Sequence, residues 1–354
     1  LLDIDEYTTY MAFEQFIVNT DWVGTNTKLW RSRDNGRFRW ILLDTDFGFG
    51  LYDYFSPNYT HYTTNMLQFC LGEGNAINWG NGSGTKYYKF DEESRWKTLL
   101  FKSLMADDDF KRKFLAKNLM LLGGRLQPDV VETKLDSILE LVLPEYCATK
   151  YAKDFNTDNN VKTIRTFAKN RPEHVLSHLE SYYGGEQTAL KIVTNTPEGR
   201  FAMNGMRCDG ATFDGKYISN NLLQLTAIAP DGYAFKYWKV GADSVVTTPT
   251  FSTQVAGDLN IEVVFEESDG VDNIENTINI VKVYPNPVHD LLFVESTGGN
   301  ILSVVIYDNL GKVAEMEPNN RQKAEIRTSG LAKGIYIVEV KSEDGVVRKK
   351  VVVK

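Results

Sequence analysis

The chain has 354 residues, 42% of them hydrophobic and 24% charged, with a formal net charge of −8 at pH 7. This balance is typical of a folded protein with two or three domains and excludes a disordered chain. An acidic chain without a basic stripe excludes a nucleic-acid-binding protein. The lack of an apolar run of about 18 residues predicts no transmembrane segment.

The first residues do not resemble the start of a protein. A helix-like pattern begins at Leu1 without the segments of a signal peptide, so we expect the C-terminal part of something longer. The cysteines, Cys70, Cys147 and Cys208, are too few and too scattered for a disulfide framework or a zinc site. We predict that they are small buried residues.

The first region, residues 1–185, has most of the helical periodicity. The stretch "ADDDFKRKFLAKNLMLLGG" has acids at its start, cations further along and two glycines at its end, which predicts one helix. Two further stretches have apolar residues at helical spacing: Trp96, Leu99, Leu100 and Leu104, and, after Pro128, Val131, Leu135, Ile138, Leu139 and Val142. The region is therefore predicted to be mostly helical, with a hairpin near its start.

Two β regions follow the helical one. Between residues 186 and 267, the stretches "LLQLTAIAP", "AFKYWKV" and "LNIEVVFEE" predict a small β domain. The acidic, polar residues 268–277 are predicted to form a linker. From 278 to 354, strand pairs around the turns "DNLG" and "SEDG" predict a second β domain.

Chemistry is expected in the first region, around the stretch "LLDTDFGFG". Asp44 and Asp46 follow the strand-like run "RFRWILL", and Asp21 and Asn26 precede the strand-like run "KLW". A hairpin between these runs would bring both loops together, with four oxygen-bearing side chains facing one pocket. Paired aspartates often only form turns or cap helices, but the ordered combination with Asp21 and Asn26 favours a functional site.

Such a set of side chains suits phosphoryl transfer, in which the protein mainly positions the reactants and stabilises charge. Carboxylate and amide oxygens are ligands for magnesium, and a carboxylate near the attacking hydroxyl can accept its proton. Protein kinases have an aspartate, an asparagine five residues later and then D-F-G after a hairpin. Here these are Asp21, Asn26 and the tripeptide that begins at Asp46.

The stretch "VNTDWVGTNTKLWRSRDNGRFRWILLDTDFGFG" resembles the catalytic half of the spore-coat protein H (CotH) kinase family, and the resemblance extends to about residue 184. It implies that Asp21 is the catalytic aspartate, that Asn26 binds metal, and that Asp44 with Asp46 corresponds to the D-F-G acid. It also implies ATP and Mg²⁺ or Mn²⁺ as cofactors. Either aspartate of the pair could be the principal metal ligand.

Kinases also use an N-terminal lobe whose lysine holds the α- and β-phosphates. No such lobe fits before Asp21, so the chain by itself is expected to bind nucleotide poorly and to lack activity. A longer parent protein with such a lobe could be an active kinase. One alternative is a surface or adhesion protein in which the kinase-like region is only a scaffold. Another is a calcium site that stabilises a surface domain.

Other polar residues of the first region have simpler interpretations. His61, His174 and His178 are predicted to be surface or packing residues, since no acidic partner completes a zinc motif. The segment from Tyr52 to Phe90 is interpreted as a long irregular loop, either facing a substrate or without a role in chemistry.

The two β regions also resemble known families. The middle one resembles the divergent internalin-type B-repeats of bacterial surface proteins, which implies a spacer or adhesion module with Trp238 in its core. The last one, with "VKVYPNPVHDLLFVES", "LAKGIYIVEV" and "VVRKKVVVK", resembles the C-terminal sorting domain of the type IX secretion system of Bacteroidetes. That implies a small antiparallel β-sandwich and export by the type IX machinery. An ordinary β-sandwich adhesion domain is the alternative.

The predicted fold is multidomain α+β: a truncated, atypical kinase-like, mostly helical domain followed by two small all-β domains. The predicted function is that of a secreted or cell-surface CotH-like protein kinase fragment, which transfers the γ-phosphate of ATP to Ser or Thr hydroxyls. No particular protein substrate follows from the sequence.

Overall fold

The computed structural model describes residues 2–19, 22, 26–33, 36–51, 61–72, 78–80, 85–87, 95–149, 157–268, 281–296, 299–308, 311–316, 322–343 and 345–354. Two compact units are formed, one from residues 1–227 with 238–263 and the other from residues 228–237 with 264–354. The described chain is mostly helical in its first half and β-stranded afterwards, so the predicted α+β order is confirmed.

The helices are α1 (Ile4–Ile17), α2 (Met66–Cys70), α3 (Arg95–Leu104), α4 (Asp108–Leu122), α5 (Pro128–Cys147) and α6 (Thr157–Tyr183), with a 3₁₀ turn at His61–Thr63. The strands of the helical region are β1 (Lys28–Trp30), β2 (Arg39–Ile41), β3 (Asn78–Gly80) and β4 (Thr85–Tyr87). The next strands are β5 (Gln187–Thr194), β6 (Arg200–Met203), β7 (Met206–Arg207), β8 (Thr212–Ile218), β9 (Leu222–Ile228), β10 (Tyr233–Val240), β11 (Ser244–Val246), β12 (Thr250–Gln254) and β13 (Leu259–Glu267). The last strands are β14 (Val281–Tyr284), β15 (Leu291–Ser296), β16 (Ile301–Asp308), β17 (Gly311–Met316), β18 (Lys323–Arg327), β19 (Gly334–Ser342) and β20 (Gly345–Val353).

Acidic side chains cap the first turns of α1 and α4. Oδ1 of Asp3 accepts a hydrogen bond from the backbone N–H of Glu6 at 3.2 Å, and Oδ1 of Asp107 accepts one from Phe110 at 2.8 Å. The negative charge of a carboxylate at the N-terminal end of a helix also interacts favourably with the helix dipole. Helix α4 ends at Leu122, and its C-cap residue is Gly123, the first of the two predicted terminal glycines.

The apolar side chains of α3 and α5 are buried by neighbouring elements to a smaller extent than the helical spacing of these residues predicts. In α3, Leu99 and Leu100 are exposed, whereas Phe101 is buried. Helix α5 has no buried side chain among its residues, and Leu141 is 78% exposed. Periodicity therefore predicts these helices correctly, but neighbouring elements decide which of their faces is buried.

Strands β1 and β2 form the predicted hairpin, with antiparallel pairs that run from Lys28 opposite Ile41 to Trp30 opposite Arg39. Trp40 of β2 packs on Tyr7 of α1 with ring centroids 4.3 Å apart. The backbone N–H of Trp40 also donates to the carboxylate of Glu6 in α1, at 3.0 Å. The hairpin thus rests on the first half of α1.

A buried arginine of α6 links α1 and the 3₁₀ turn. The guanidinium of Arg171 donates to the carbonyl oxygens of Gln15 and Phe16 in the last turn of α1, at 2.8 Å each. It also donates to the carbonyls of Tyr62 and Thr64, at 2.8 and 2.7 Å. The last carbonyl groups of a helix have no hydrogen-bond partner within the helix, and the guanidinium provides one. Its positive charge also interacts favourably with the C-terminal end of the helix dipole.

The strands from β5 to β13 form two sheets, with the orders β11-β10-β13-β5-β8 and β12-β9-β6-β7. The first and last of these strands, β5 and β13, are paired in parallel, with Leu190 opposite Leu259. Trp238 is fully buried, as predicted, and its indole N–H donates to the carbonyl of Pro249 at 3.2 Å.

Helix α6 passes directly into β5 through Gly184 and Gly185. At Gly185 φ is +122°, and a Cβ atom would lie 2.1 Å from the carbonyl oxygen of Ser219, so this junction requires glycine. Between β6 and β7, the side-chain amide of Asn204 donates to the carbonyl of Arg112 in α4 at 3.3 Å. Helices and sheets are therefore packed together within the first unit.

The strands from β14 to β20 form an antiparallel sandwich, with the sheet orders β14-β15-β18 and β17-β16-β19-β20. Its core contains only residues of this region, among them Val281, Leu292, Val294, Ile306, Ile326, Val338, Val340 and Val351. Asn286 fixes β20 with two hydrogen bonds, from its Nδ2 to the carbonyl of Lys350 at 2.8 Å and from the N–H of Val352 to its Oδ1 at 2.9 Å.

The predicted linker at residues 268–277 lies outside the described residues, apart from Ser268. Among the helices that the structure describes, none combines the length and apolarity needed to cross a membrane.

Candidate functional site

The chain leaves α1 towards the predicted catalytic loop through a left-handed residue. Val18 has φ 55°, and the backbone N–H of Asn19 then bonds to the carbonyl of Glu14 at 3.2 Å. The predicted catalytic residue, Asp21, lies outside the described residues, so its place in the site stays a prediction.

The β1–β2 hairpin brings the other three predicted site residues to one of its ends. Asn26 lies two residues before Lys28, where β1 begins, and Asp44 lies three residues after Ile41, where β2 ends. Because Lys28 pairs with Ile41, both loops leave the hairpin at the same end. Asn26 is partly buried, and Asp44 and Asp46 are exposed. The predicted hairpin is confirmed, whereas a shared pocket for these side chains stays a prediction.

The loop with both aspartates is fastened to the end of α1. The carbonyl oxygen of Asp44 accepts a hydrogen bond from Nδ2 of Asn19 at 3.4 Å, and the N–H of Phe49 donates to the carbonyl of Ile17 at 2.9 Å. The ring of Phe49 also meets Phe167 of α6 edge to face, with centroids 5.6 Å apart. Asp44 has φ 54°, a left-handed conformation that aspartate tolerates better than most residues. Helix α1 thus sets the position of this acidic loop.

Sequence reasoning did not identify Glu14, a buried acid in the last turn of α1. Its side chain is 0% exposed, and its Oε2 accepts a hydrogen bond from Nδ2 of Asn19 at 2.9 Å. Burial raises the pKa of Glu14 to about 7, although the hydrogen bond from Asn19 acts to lower it. The signal in the sequence is its setting in "YMAFEQFIV", where an acid stands among apolar residues.

An aromatic cavity of about 250 Å³ lies between α1, the hairpin and α3. Its lining includes the rings of Tyr7, Tyr10, Trp22, Trp40 and Phe101 together with Thr27. Trp22 and Thr27 also belong to the stretch from Asp21 to Thr27, and the Thr27 hydroxyl donates to the carbonyl of Trp22 at 3.4 Å. The described residues Trp22 and Thr27 therefore line a largely aromatic space, which the sequence did not predict.

His61, His174 and His178 are packing residues, which agrees with the prediction of surface or packing roles. His61 is buried, and burial, followed by the neighbouring Arg171, lowers its pKa to about 4. The pKa of His178 is also lowered to about 4, mainly by burial and then by Arg171 and His174. The ring of His174 contacts Tyr62, with centroids 5.5 Å apart.

The three cysteines are free thiols. Cys70 and Cys208 are buried, as predicted, but the prediction is wrong for Cys147, which is exposed at the end of α5, a helix with no buried side chain. Within the described ranges, no three His, Cys, Asp or Glu side chains form a group that could hold a metal ion.

The segment from Tyr52 to Phe90 is more ordered than an irregular loop wherever it is described. It contains the 3₁₀ turn at His61–Thr63, the helix α2 and the antiparallel pair of β3 and β4. The interpretation as a long irregular loop is therefore wrong for these parts.

The residue types at the hairpin end are those that a magnesium-type cation prefers. Mg²⁺ in proteins commonly binds one or two carboxylates together with substrate phosphates and water. Asp44 and Asp46 are exposed, and Asn26, which has an amide oxygen, lies at the same hairpin end. Joint binding of one cation by these three residues stays a prediction.

Three family models match the chain. Residues 1–175 match the CotH kinase protein, residues 202–269 the divergent InlB B-repeat domain, and residues 282–354 the secretion system C-terminal sorting domain. No curated protein matches the chain.

The similarity to solved structures supports no conclusion about fold or ligand, because the TM-scores are low. The CD2-binding domain of CD58 (lymphocyte function-associated antigen 3) is 8% identical over 48% of this chain and 92% of that chain, with a TM-score of 0.16. The Bacteroides ovatus protein SGBP-B, in complex with a mixed-linkage heptasaccharide, is 11% identical over 47% of this chain and 64% of that chain, with a TM-score of 0.17.

The three predicted family resemblances are confirmed in their predicted order. The match at residues 282–354 indicates export by the type IX secretion system, to the cell surface or beyond it. In chain order, the matched parts are thus similar to a CotH kinase protein, a divergent InlB B-repeat domain and a secretion system C-terminal sorting domain.

Proposed function

We propose that this exported chain is the catalytic part of an atypical protein kinase, which transfers the γ-phosphate of ATP to a Ser or Thr hydroxyl of a protein. The observation that supports this most is the register of the β1–β2 hairpin, with Lys28 opposite Ile41. From that register the loops of Asn26 and Asp44 leave the hairpin side by side. The match of residues 1–175 to the CotH kinase protein favours the same reaction class.

In the proposed mechanism, Asp21 accepts the proton of the attacking hydroxyl while the hydroxyl oxygen bonds to the γ-phosphorus and the bond to ADP breaks. Asn26 and the pair Asp44 and Asp46 would hold Mg²⁺ or Mn²⁺, which when bound would neutralise charge on the phosphates. The hydrogen bonds of Asn19 and Phe49 anchor the backbone of the loop that carries both carboxylates.

Thermal unfolding in the presence of Mg²⁺-ATP or Mn²⁺-ATP tests this proposal. A ligand that binds the native state raises the unfolding midpoint as its concentration increases. Because the chain by itself is expected to bind nucleotide poorly, we expect such a rise for the wild-type chain at high nucleotide concentrations, and its loss in the variant Asp44→Ala/Asp46→Ala. As a matched control, Asp231→Ala/Asp243→Ala removes two exposed aspartates of the β region and should keep the rise.

Two other outcomes would overturn the proposal. No rise at any nucleotide concentration with either metal would favour a kinase-like scaffold in a surface or adhesion protein. A rise with Ca²⁺ alone that is lost in Asp44→Ala/Asp46→Ala, without any effect of ATP, would favour a calcium-stabilised surface domain.

A further inference from the structure

Glu14 is a buried acid that its own helix does not require. Its side chain is 0% exposed, and α1 is capped at the opposite end by Asp3. Burying a carboxyl group costs free energy that a leucine or methionine at the same position would not incur. The role of this side chain must therefore be sought in the group with which it forms a hydrogen bond.

That group is the side-chain amide of Asn19, just beyond the end of α1. Nδ2 of Asn19 donates to Oε2 of Glu14 at 2.9 Å, and the backbone N–H of Asn19 donates to the Glu14 carbonyl at 3.2 Å. Two bonds between the same two residues fix the direction in which the Asn19 side chain extends.

Asn19 also reaches the acidic loop. An amide nitrogen has two hydrogens to donate, and Nδ2 of Asn19 lies 3.4 Å from the carbonyl oxygen of Asp44 as a second hydrogen bond. The loop has a further hydrogen bond to α1, from the N–H of Phe49 to the carbonyl of Ile17, in the same helical turn as Glu14.

We propose that Glu14 is a positioning residue: through Asn19 it holds the loop of Asp44 and Asp46 against the end of α1. Its effect on metal and nucleotide binding rests on the proposed function. Its effect on the loop does not, so the two can be tested separately.

Hydrogen exchange of the backbone amides in residues 42–51 tests the effect on the loop, and needs no nucleotide. Glu14→Leu removes the acceptor for Asn19, so we expect the amides of Gly48 and Phe49 to exchange about tenfold faster, as loss of one buried hydrogen bond would cause. Glu14→Gln keeps an acceptor oxygen at the same place, and should restore the slow exchange. Amides of α4 should exchange equally in all variants.

Asn19 provides an independent variant in case Glu14→Leu does not fold. Asn19→Ala should accelerate the same amides, and the double variant Glu14→Leu/Asn19→Ala should add little, because both changes break one connection. Glu6→Leu is the matched control, since this acid of α1 accepts from the N–H of Trp40. It should affect the amides of β2 and not those of Gly48 and Phe49.

The dissociation constant for Mn²⁺-ATP gives the second readout. We expect it to rise about tenfold in Glu14→Leu and to return towards the wild-type value in Glu14→Gln, since the loss again amounts to one hydrogen bond. Unchanged exchange of the loop in both Glu14→Leu and Asn19→Ala would overturn the positioning role. Faster exchange in a chain that never binds Mn²⁺-ATP would leave the positioning role standing and refute the proposed function.

Discussion

Two buried side chains of the helical region make its stability depend on pH in opposite directions. Burial raises the pKa of Glu14 from 4.5 to about 7, so the folded state binds more protons and its contribution is lost as the pH rises through 7. Burial, followed by Arg171, lowers the pKa of His61 from 6.5 to about 4. There the unfolded state binds more protons, so stability is lost as the pH falls from 6.5 towards 4.

The variant His61→Gln tests the second effect. The wild-type chain should lose more free energy of unfolding than the variant between pH 7 and pH 4.5, by at most on the order of 3 kcal/mol. Urea denaturation of both proteins at the two pH values measures the difference, and Glu14 acts equally in both. Parallel pH dependence of the two proteins would show that His61 is not held neutral in the folded state.

At the level of single residues, the sequence predicted the polar groups with a local pattern and missed those defined by contacts. Asp44 and Asp46 follow an apolar run directly, which is a local signal in the sequence. The role of Glu14 depends on its contact with Asn19 and on the contact of Asn19 with Asp44, 25 residues further along the chain. Contacts between residues so far apart produce no periodic pattern in the sequence. Only the apolar setting of Glu14 gave a sign of its burial.

At the level of helices and strands, local sequence signals predicted which segments form helices better than they predicted which helical side chains are buried. The acids and glycines around α4 predicted both of its ends, because capping depends on residues within one turn. The apolar spacing of α5 also predicted a helix, yet none of its described side chains is buried. Which side of a helix is covered depends on elements distant in sequence, and no helical pattern contains that information.

The guanidinium of Arg171 connects α6 with α1 and with the segment around the 3₁₀ turn. The variant Arg171→Met tests how much this side chain contributes to the free energy of unfolding. Loss of its hydrogen bonds to four carbonyl oxygens, two of them in the last turn of α1, should lower the free energy of unfolding by about 3–5 kcal/mol. Urea denaturation measures the change. Arg165→Met, at a more exposed arginine of the same helix, should have little effect. Equal effects of the two variants would rule out a special contribution of the buried arginine.

At the level of the whole molecule, the sandwich from β14 to β20 has a core of its own residues. We therefore expect residues 278–354 to fold and unfold cooperatively in isolation. Within that fragment, Leu292→Ala should cost about 2–5 kcal/mol, because Leu292 is 0% exposed. Leu302→Ala, at a position that is 44% exposed, should cost much less. Circular dichroism during urea denaturation measures both, and a fragment without a cooperative transition would contradict an independent core.

The parallel pairing of β5 and β13 determines how the region between helices and sandwich carries mechanical load. The chain enters β5 from α6 and leaves β13 towards the sandwich, so tension along the chain pulls two adjacent strands in opposite directions. The hydrogen bonds between them are then sheared together rather than broken one after another. If the chain were pulled from its two ends, this parallel pair would therefore resist separation more than strands that are peeled apart one hydrogen bond at a time.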